Sequence, residues 1–224
     1  MTLNVHSKPD SFTPQTSSTP KSFAKRFRDV RDRSRPLCET LEPEDCVVQS
    51  MPNASPIRWH LAHTTWLFET FLLKRRPDYQ SVDPRFEFLF NSYYNSVGKP
   101  FPQHQRGILS RPTMEEVWRY RESVDRQIEA WCEDVAPMIQ LDTYIFEFGL
   151  NHEQQHQELM LTDIKHAFAQ NPLFPIYRDT ALLPSEQALN ASVLSHWISV
   201  PESIRTIGHE SIGFEILIHF FIRR

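Results

Sequence analysis

The sequence has few glycines and cysteines and no long apolar run. Only 5 of its 224 residues are glycine, and no apolar stretch reaches the roughly 18 residues that a membrane helix needs. The 3 cysteines form no CxxC pattern and leave an odd one over, which favours free thiols in a reducing cytoplasm. The N-terminus lacks the apolar core of a signal peptide. A formal charge of -4 gives no reason to propose nucleic acid or a membrane surface as partner. We therefore expect a soluble cytoplasmic protein.

Prolines, 17 in all, divide the chain into four parts. Residues 1–20 are rich in Ser, Thr and Pro and predict a disordered lead-in. Residues 21–171 carry the helical patterns, and residues 172–196 form a proline-broken linker. Residues 197–224 look strand- and turn-like before an apolar end.

Four long helices are predicted in the second part. Thr113, with Glu116 three residues later, forms a capping box that marks the start of the third helix. Sizeable helices with short connections predict an all-α fold, an up-and-down four-helix bundle that can hold a metal site in its core. The predicted helices cover about residues 22–41, 55–76, 112–137 and 141–170, with a further helix in 83–97.

Three histidines stand at positions that suit a metal ion. His152 and His156 are four apart, so on a helix they project from one face about one turn apart. His63 falls on the apolar stripe of the second helix, whereas His60 lies to its side. Three imidazoles would leave open positions for water, oxygen and substrate. The ligand type alone does not choose among zinc, iron, nickel and copper.

Polar neighbours of the paired histidines would hold their second ring nitrogens. Ligating histidines need an acceptor there, and four nearby side chains are candidates. The alternative is that these four are solvent-facing polar residues of the helix. The candidates are Glu153, Gln155, Gln157 and Glu158.

A zinc-protease hypothesis competes with this interpretation. His152-Glu153-Gln154-Gln155-His156 fits H-E-x-x-H, with the glutamate as general base. The extended motif needs glycine and histidine at the positions that Leu159 and Thr162 occupy, and a distant third ligand such as Glu186 lies in a proline-broken segment. The protease hypothesis also leaves His63 unexplained.

Separate motifs, in the same order, resemble the DinB-like domain of the iron-dependent sulfoxide synthases of ergothioneine biosynthesis. They are SPIRWHLAHTTW at 55–66, NSYY at 91–94, GILSRP at 107–112 and NHEQQHQE at 151–158. The resemblance covers about residues 22–214. It implies that His63, His152 and His156 bind iron(II), with His60 not matched to a ligand.

The resemblance also implies the reaction and its substrates. With oxygen, the sulfur of cysteine or γ-glutamylcysteine is joined to the imidazole of hercynine, giving a sulfoxide. Arg106, Arg111 and Gln103 would hold substrate. Relatives of this kind continue into a second domain, which is similar to formylglycine-generating enzymes. Residues 197–224 resemble a truncated stub of that domain. The alternatives are a stand-alone DinB-like thiol transferase that uses zinc or nickel, and an inactive truncated fragment kept for its fold.

Overall fold

The structure is a computed structural model that describes residues 20–92, 94–134 and 140–178. Within these ranges it contains helices and no strand, as the all-α prediction requires. The predicted lead-in and the predicted β-rich stub lie outside the described residues, apart from Pro20. The α-helices are α1 (Pro20–Arg31), α2 (Ile57–Phe71), α3 (Phe86–Phe90), α4 (Met114–Asp134) and α5 (Gln140–Gln170). Short 3-10 helices cover Asp32–Ser34, Asp45–Val47, Leu73–Arg75 and Gln103–Ile108.

The predicted starts of the helices agree with the structure better than their predicted lengths do. The predicted capping box is present: the Thr113 N–H donates to Glu116 Oε2 at 2.6 Å, and the Glu116 N–H donates to Thr113 Oγ1 at 3.1 Å. α1 is shorter than predicted, because it tightens into a 3-10 turn after Arg31. The helix predicted over 83–97 is reduced to α3.

In the bundle, α1 and α2 lie diagonally opposite each other, and so do α4 and α5. Each of α1 and α2 therefore packs against both α4 and α5. α2 is buried without interruption from Ile57 to Glu69, because α3 and the turn at Asp45–Val47 cover it in addition to α4 and α5. The single buried stripe expected for this helix is therefore wrong. His60, expected to lie beside the stripe, is as buried as His63.

Contacts along the helices give an up–down–down–up order of directions, and the up-and-down prediction is wrong. α1 runs parallel to α5 and antiparallel to α4, while α2 runs antiparallel to α5. α2 and α4 are therefore parallel, and residues 72–113 carry the chain back across the bundle. The pairs that fix the directions are Arg26–Glu147, Arg31–Glu153, Ser34–Gln157, Arg28–Glu129, Arg35–Glu122, His60–Asp163 and Phe68–Phe146.

A buried ion cluster joins the four long helices. The Glu153 carboxylate accepts hydrogen bonds from Arg31 at 2.8 Å, Arg121 at 2.5 Å and the Ser34 hydroxyl at 2.5 Å. Arg31 also donates to the Thr65 hydroxyl of α2 at 2.9 Å. Arg31 is buried, although it lies in a run of basic residues in the sequence. Losing one member of such a cluster costs about 3–5 kcal/mol, because it leaves an uncompensated buried charge.

Gly149 allows α5 to approach α2 closely. A Cβ added at this position would lie 2.5 Å from the Phe68 ring. That ring has no room to withdraw, because Phe68 is fully buried and packs edge-on against Phe27 with ring centres 5.1 Å apart. The glycine therefore serves helix packing despite its cost within a helix.

We expect Gly149→Ala to destabilise the protein by about 1–3 kcal/mol, because the new methyl overpacks the contact with Phe68. Helix propensity alone predicts the opposite sign, since alanine is the better helix former by about 1 kcal/mol. Urea denaturation of Gly149→Ala, Phe68→Leu and the double variant measures the effect. The double variant should be less destabilised than the sum of the single changes. A stabilised Gly149→Ala would contradict the close packing.

Candidate metal centre

Three buried histidines face one another between α2 and α5. His63 comes from α2, and His152 and His156 come from successive turns of α5. One ring nitrogen from each lies within 4.8 Å of the others. The structure thus brings together the three residues that the sequence selected as metal ligands.

One pair of ring nitrogens has the spacing expected for two ligands of a common ion. His63 Nε2 and His152 Nε2 are 3.2 Å apart. Two imidazoles bound to one ion at about 2.0–2.1 Å, at roughly 90–110° to each other, place their nitrogens about 2.8–3.4 Å apart. The same distance accommodates an N–H···N hydrogen bond in the metal-free chain. This pair is therefore compatible with one shared metal ion, and the three nitrogens together lie within 4.8 Å of one another.

His63 is fixed by a hydrogen bond and by stacking. Its Nδ1 lies 2.5 Å from the carbonyl oxygen of Phe90, the last residue of α3. A carbonyl only accepts, so Nδ1 carries the proton and Nε2 presents its lone pair to the centre. Trp59 and Trp66 stack on the ring, with centroids 4.5 Å and 5.6 Å away and near-parallel planes.

His156 is held by His60, a further histidine that the sequence did not assign to the site. Its Nδ1 lies 2.8 Å from Nδ1 of His60, whose Nε2 lies 3.0 Å from Asp163 Oδ2. Asp163 follows His156 by seven residues, two helical turns, so it lies on the same face of α5. The seven-residue spacing is the sequence signal that could have placed Asp163 near the site. It gave no indication that His60 would lie between the two residues.

His152 is held mainly by packing. Its Nδ1 is buried and has no hydrogen-bond partner among the described residues. The Phe148 ring, one turn earlier on α5, stacks on the imidazole with centroids 5.7 Å apart and planes 23° apart. Its orientation therefore depends on ring contacts and on the rotation of α5.

The polar neighbours expected to hold the histidines make other contacts. In the described part of the chain, no hydrogen bond joins any of the four to the three histidines. Glu153 belongs to the arginine cluster, and Gln157 donates to the Val30 carbonyl at 2.8 Å. Gln155 is half-buried and Glu158 is exposed. The contacts seen instead come from Phe90 and His60.

The protease hypothesis is not supported by the position of its glutamate. Burial alone would raise the pKa of Glu153, but Arg121 and Arg31 outweigh burial and hold that pKa well below its usual range. A carboxylate bound by two guanidinium groups and a hydroxyl is a weak base. It is therefore unsuited to activate a metal-bound water.

Arg106, predicted to hold substrate, lies in the interior beside the site. Its guanidinium carbon is 3.3 Å from the centre of the Trp59 ring, the same indole that stacks on His63. Its terminal nitrogens donate to the hydroxyls of Ser55 at 2.9 Å and Ser92 at 3.1 Å. The guanidinium thus reaches the site through an aromatic ring, and contact with a substrate stays a prediction.

The other two predicted substrate residues lie nearer the surface. Gln103 donates to the carbonyl of Asn53 at 2.8 Å. Arg111 is exposed and donates to the carbonyl of Ser110 at 2.8 Å. Both remain predictions as substrate ligands.

Burial keeps the histidines neutral. It lowers the pKa of His152 to about 4, and it lowers the pKa values of His63 and His156 well below their usual range, where the neighbouring imidazoles add to the effect. A neutral imidazole has a lone pair to donate to a metal ion. With no carboxylate in the set, the three rings fit the divalent ions that imidazole prefers: zinc, iron, nickel and copper.

A sequence comparison agrees with this fold. The DinB superfamily model matches residues 26–160, a span that includes all three histidines. The chain belongs to the DinB superfamily. No curated protein matches the sequence at a significant level. Among the described helices, none is both long and apolar enough to cross a membrane.

We expect the metal-free protein to lose stability as the pH falls from 7 to 5. The unfolded chain takes up protons near pH 6.5, whereas the buried histidines resist protonation down to much lower pH. The contribution is complete above about pH 6.5 and declines by about 1.4 kcal/mol per pH unit for each such histidine. Urea denaturation with chelator at pH 7, 6 and 5 measures it. His152→Gln should show a shallower decline, and a flat profile for the parent chain would contradict the burial.

Proposed function

We propose that residues 20–178 form the iron(II)-binding domain of an oxygen-dependent sulfoxide synthase of ergothioneine biosynthesis. The reaction would join the thiol of cysteine or γ-glutamylcysteine to hercynine. Support comes from a DinB-superfamily bundle, three buried imidazoles facing one point, and the motifs at 55–66 and 151–158 that resemble those synthases. The observation that carries the proposal is the convergence of His63, His152 and His156.

The charge of the ligand set supports a thiol substrate. Three neutral imidazoles add no negative charge, so a bound divalent ion keeps both of its positive charges in a buried place. An anionic thiolate compensates that charge better than a neutral ligand does. The iron would supply a coordination site at which thiolate and oxygen meet. The role of the chain's own residues is to fix three coordination positions and leave the others open.

The residues around His63 would keep this geometry rigid. Phe90 fixes the proton of the ring on Nδ1, and Trp59 and Trp66 prevent the ring from tilting. A site held in this way changes little when an ion binds, which reduces the reorganisation that coordination requires. Hercynine is a trimethylammonium compound with a carboxylate, and Arg106, Arg111 or Gln103 would pair with that carboxylate.

A DinB-like thiol transferase that uses zinc or nickel is the second candidate, because the same three histidines serve it equally well. It needs a thiol and a metal but no oxygen. Oxygen consumption therefore separates the two functions.

We expect the purified chain to bind one iron(II) per molecule under anaerobic conditions, and His63→Ala, His152→Ala and His156→Ala each to abolish stoichiometric binding. Metal content after gel filtration and competition with a chelator measure this. His166→Ala is the matched control, because His166 lies on α5 but contacts the Ser50 hydroxyl at 2.7 Å. Iron binding unchanged by the three substitutions would contradict the site.

We expect the iron-loaded chain to consume oxygen only when hercynine is present together with cysteine or γ-glutamylcysteine. An oxygen electrode and the mass of the sulfoxide product measure the reaction. The zinc-loaded chain should consume none. Metal-dependent thiol transfer without oxygen uptake would favour the second candidate over the sulfoxide synthase.

A further inference from the structure

His60 and Asp163 form a buried polar pair beside the three-histidine set. Both residues lie next to the three-histidine set, but neither is a member of it. His60 is 3% exposed, and it bridges His156 and Asp163 through its two ring nitrogens. A bridging imidazole deep in a helical core must have defined proton positions, and the contacts determine them.

The first proton position follows from Asp163. Its Oδ2 accepts the backbone N–H of Ser55 at 2.8 Å, so this oxygen acts as an acceptor. The same oxygen lies 3.0 Å from His60 Nε2. His60 therefore carries its proton on Nε2 and donates it to Asp163. A neutral imidazole carries a proton on only one ring nitrogen, so His60 Nδ1 is a lone pair.

The second proton position follows from the first. His60 Nδ1 and His156 Nδ1 are 2.8 Å apart, and two lone pairs at that distance would repel each other. His156 must then carry its proton on Nδ1 and donate it to His60. In a neutral ring the other nitrogen, Nε2, has the lone pair.

We propose that His60 and Asp163 are positioning residues that set the tautomer of His156, so that its Nε2 is available to a first-row divalent metal ion. The metal part of this inference rests on the proposed metal site; the tautomer part does not. Asp163 acts through His60, and His60 acts through His156. A metal-bound histidine is usually oriented by one acceptor. Here the acceptor is an imidazole, and a carboxylate orients that imidazole in turn.

A purely structural role makes different predictions. Asp163 also accepts the N–H of Ser55 just before α2, so its loss would disturb the start of that helix whatever His60 does. Such a disturbance would affect metal binding equally with or without His60. A role through His60 would disappear once His60 is replaced.

The tautomers are measured on the metal-free parent chain, labelled with ¹⁵N-histidine, by two-bond ¹H–¹⁵N correlation near pH 7.5. Spectra of His60→Gln and His156→Gln assign the signals. We expect the Nδ1–H form for His156 and the Nε2–H form for His60. A proton on Nε2 of His156, or on Nδ1 of His60, would overturn the inference. This measurement needs neither metal binding nor activity.

The coupling is measured by metal affinity, with cobalt(II) or zinc(II) and a competing chelator. We expect His60→Leu to weaken binding about 10–100-fold and Asp163→Ala to weaken it by a similar factor. In the double variant Asp163→Ala should add less than about threefold, because its partner is already gone. His60→Gln, whose amide oxygen accepts from His156 Nδ1, should recover part of the loss, and His166→Leu should leave the affinity unchanged.

The outcomes separate this inference from the proposed metal site. Equal, additive losses in the single and double variants would show that Asp163 acts independently and would overturn the positioning role. A parent chain that binds no divalent metal would remove the proposed site, whereas the spectra of the metal-free chain would still decide the tautomers. Thermal unfolding followed by circular dichroism confirms that each variant is folded. If one is not, the parent spectra decide.

Discussion

The architecture depends on one buried carboxylate. Glu153 is enclosed by Arg31 of α1 and Arg121 of α4, and Arg31 reaches Thr65 of α2, so a single charge connects the four long helices. Neighbouring residues on a helix project about 100° apart. With Glu153 held towards α1 and α4, the adjacent His152 must point towards α2. The ion cluster therefore fixes the rotation of α5, and that rotation presents His152, and with it His156 one turn on, to His63.

Two short pieces of structure orient the metal-facing rings. α3 is a single turn and a half, yet its final carbonyl, at Phe90, fixes the proton of His63. His60 and Asp163 fix the proton of His156 in the same way. A helix that provides only one acceptor contributes little to the hydrophobic core. Its contribution to the site is larger, because a wrong tautomer would replace a lone pair with an N–H.

The sequence predicted what depends on local spacing and missed what depends on partners. The four-residue spacing of His152 and His156 fixes a common face, and the pair Thr113 and Glu116 forms its capping box within one turn. Arg31 in a basic run looks like surface until a carboxylate from 122 residues away reaches it. His60 and Asp163 are likewise joined only by the packing of α2 on α5. The parallel arrangement of α2 and α4 has no periodic signal, because it depends on the path of residues 72–113.

The stacking around His63 also gives the chain an optical property. Trp59 and Trp66 account for 2 of its 5 tryptophans, and both indoles stack on one imidazole. An open-shell ion coordinated by that ring would accept excitation energy or an electron from either indole, and their emission would dim while a filled-shell ion such as zinc left it bright. Site occupancy could then be followed by intrinsic fluorescence, without any added dye or label.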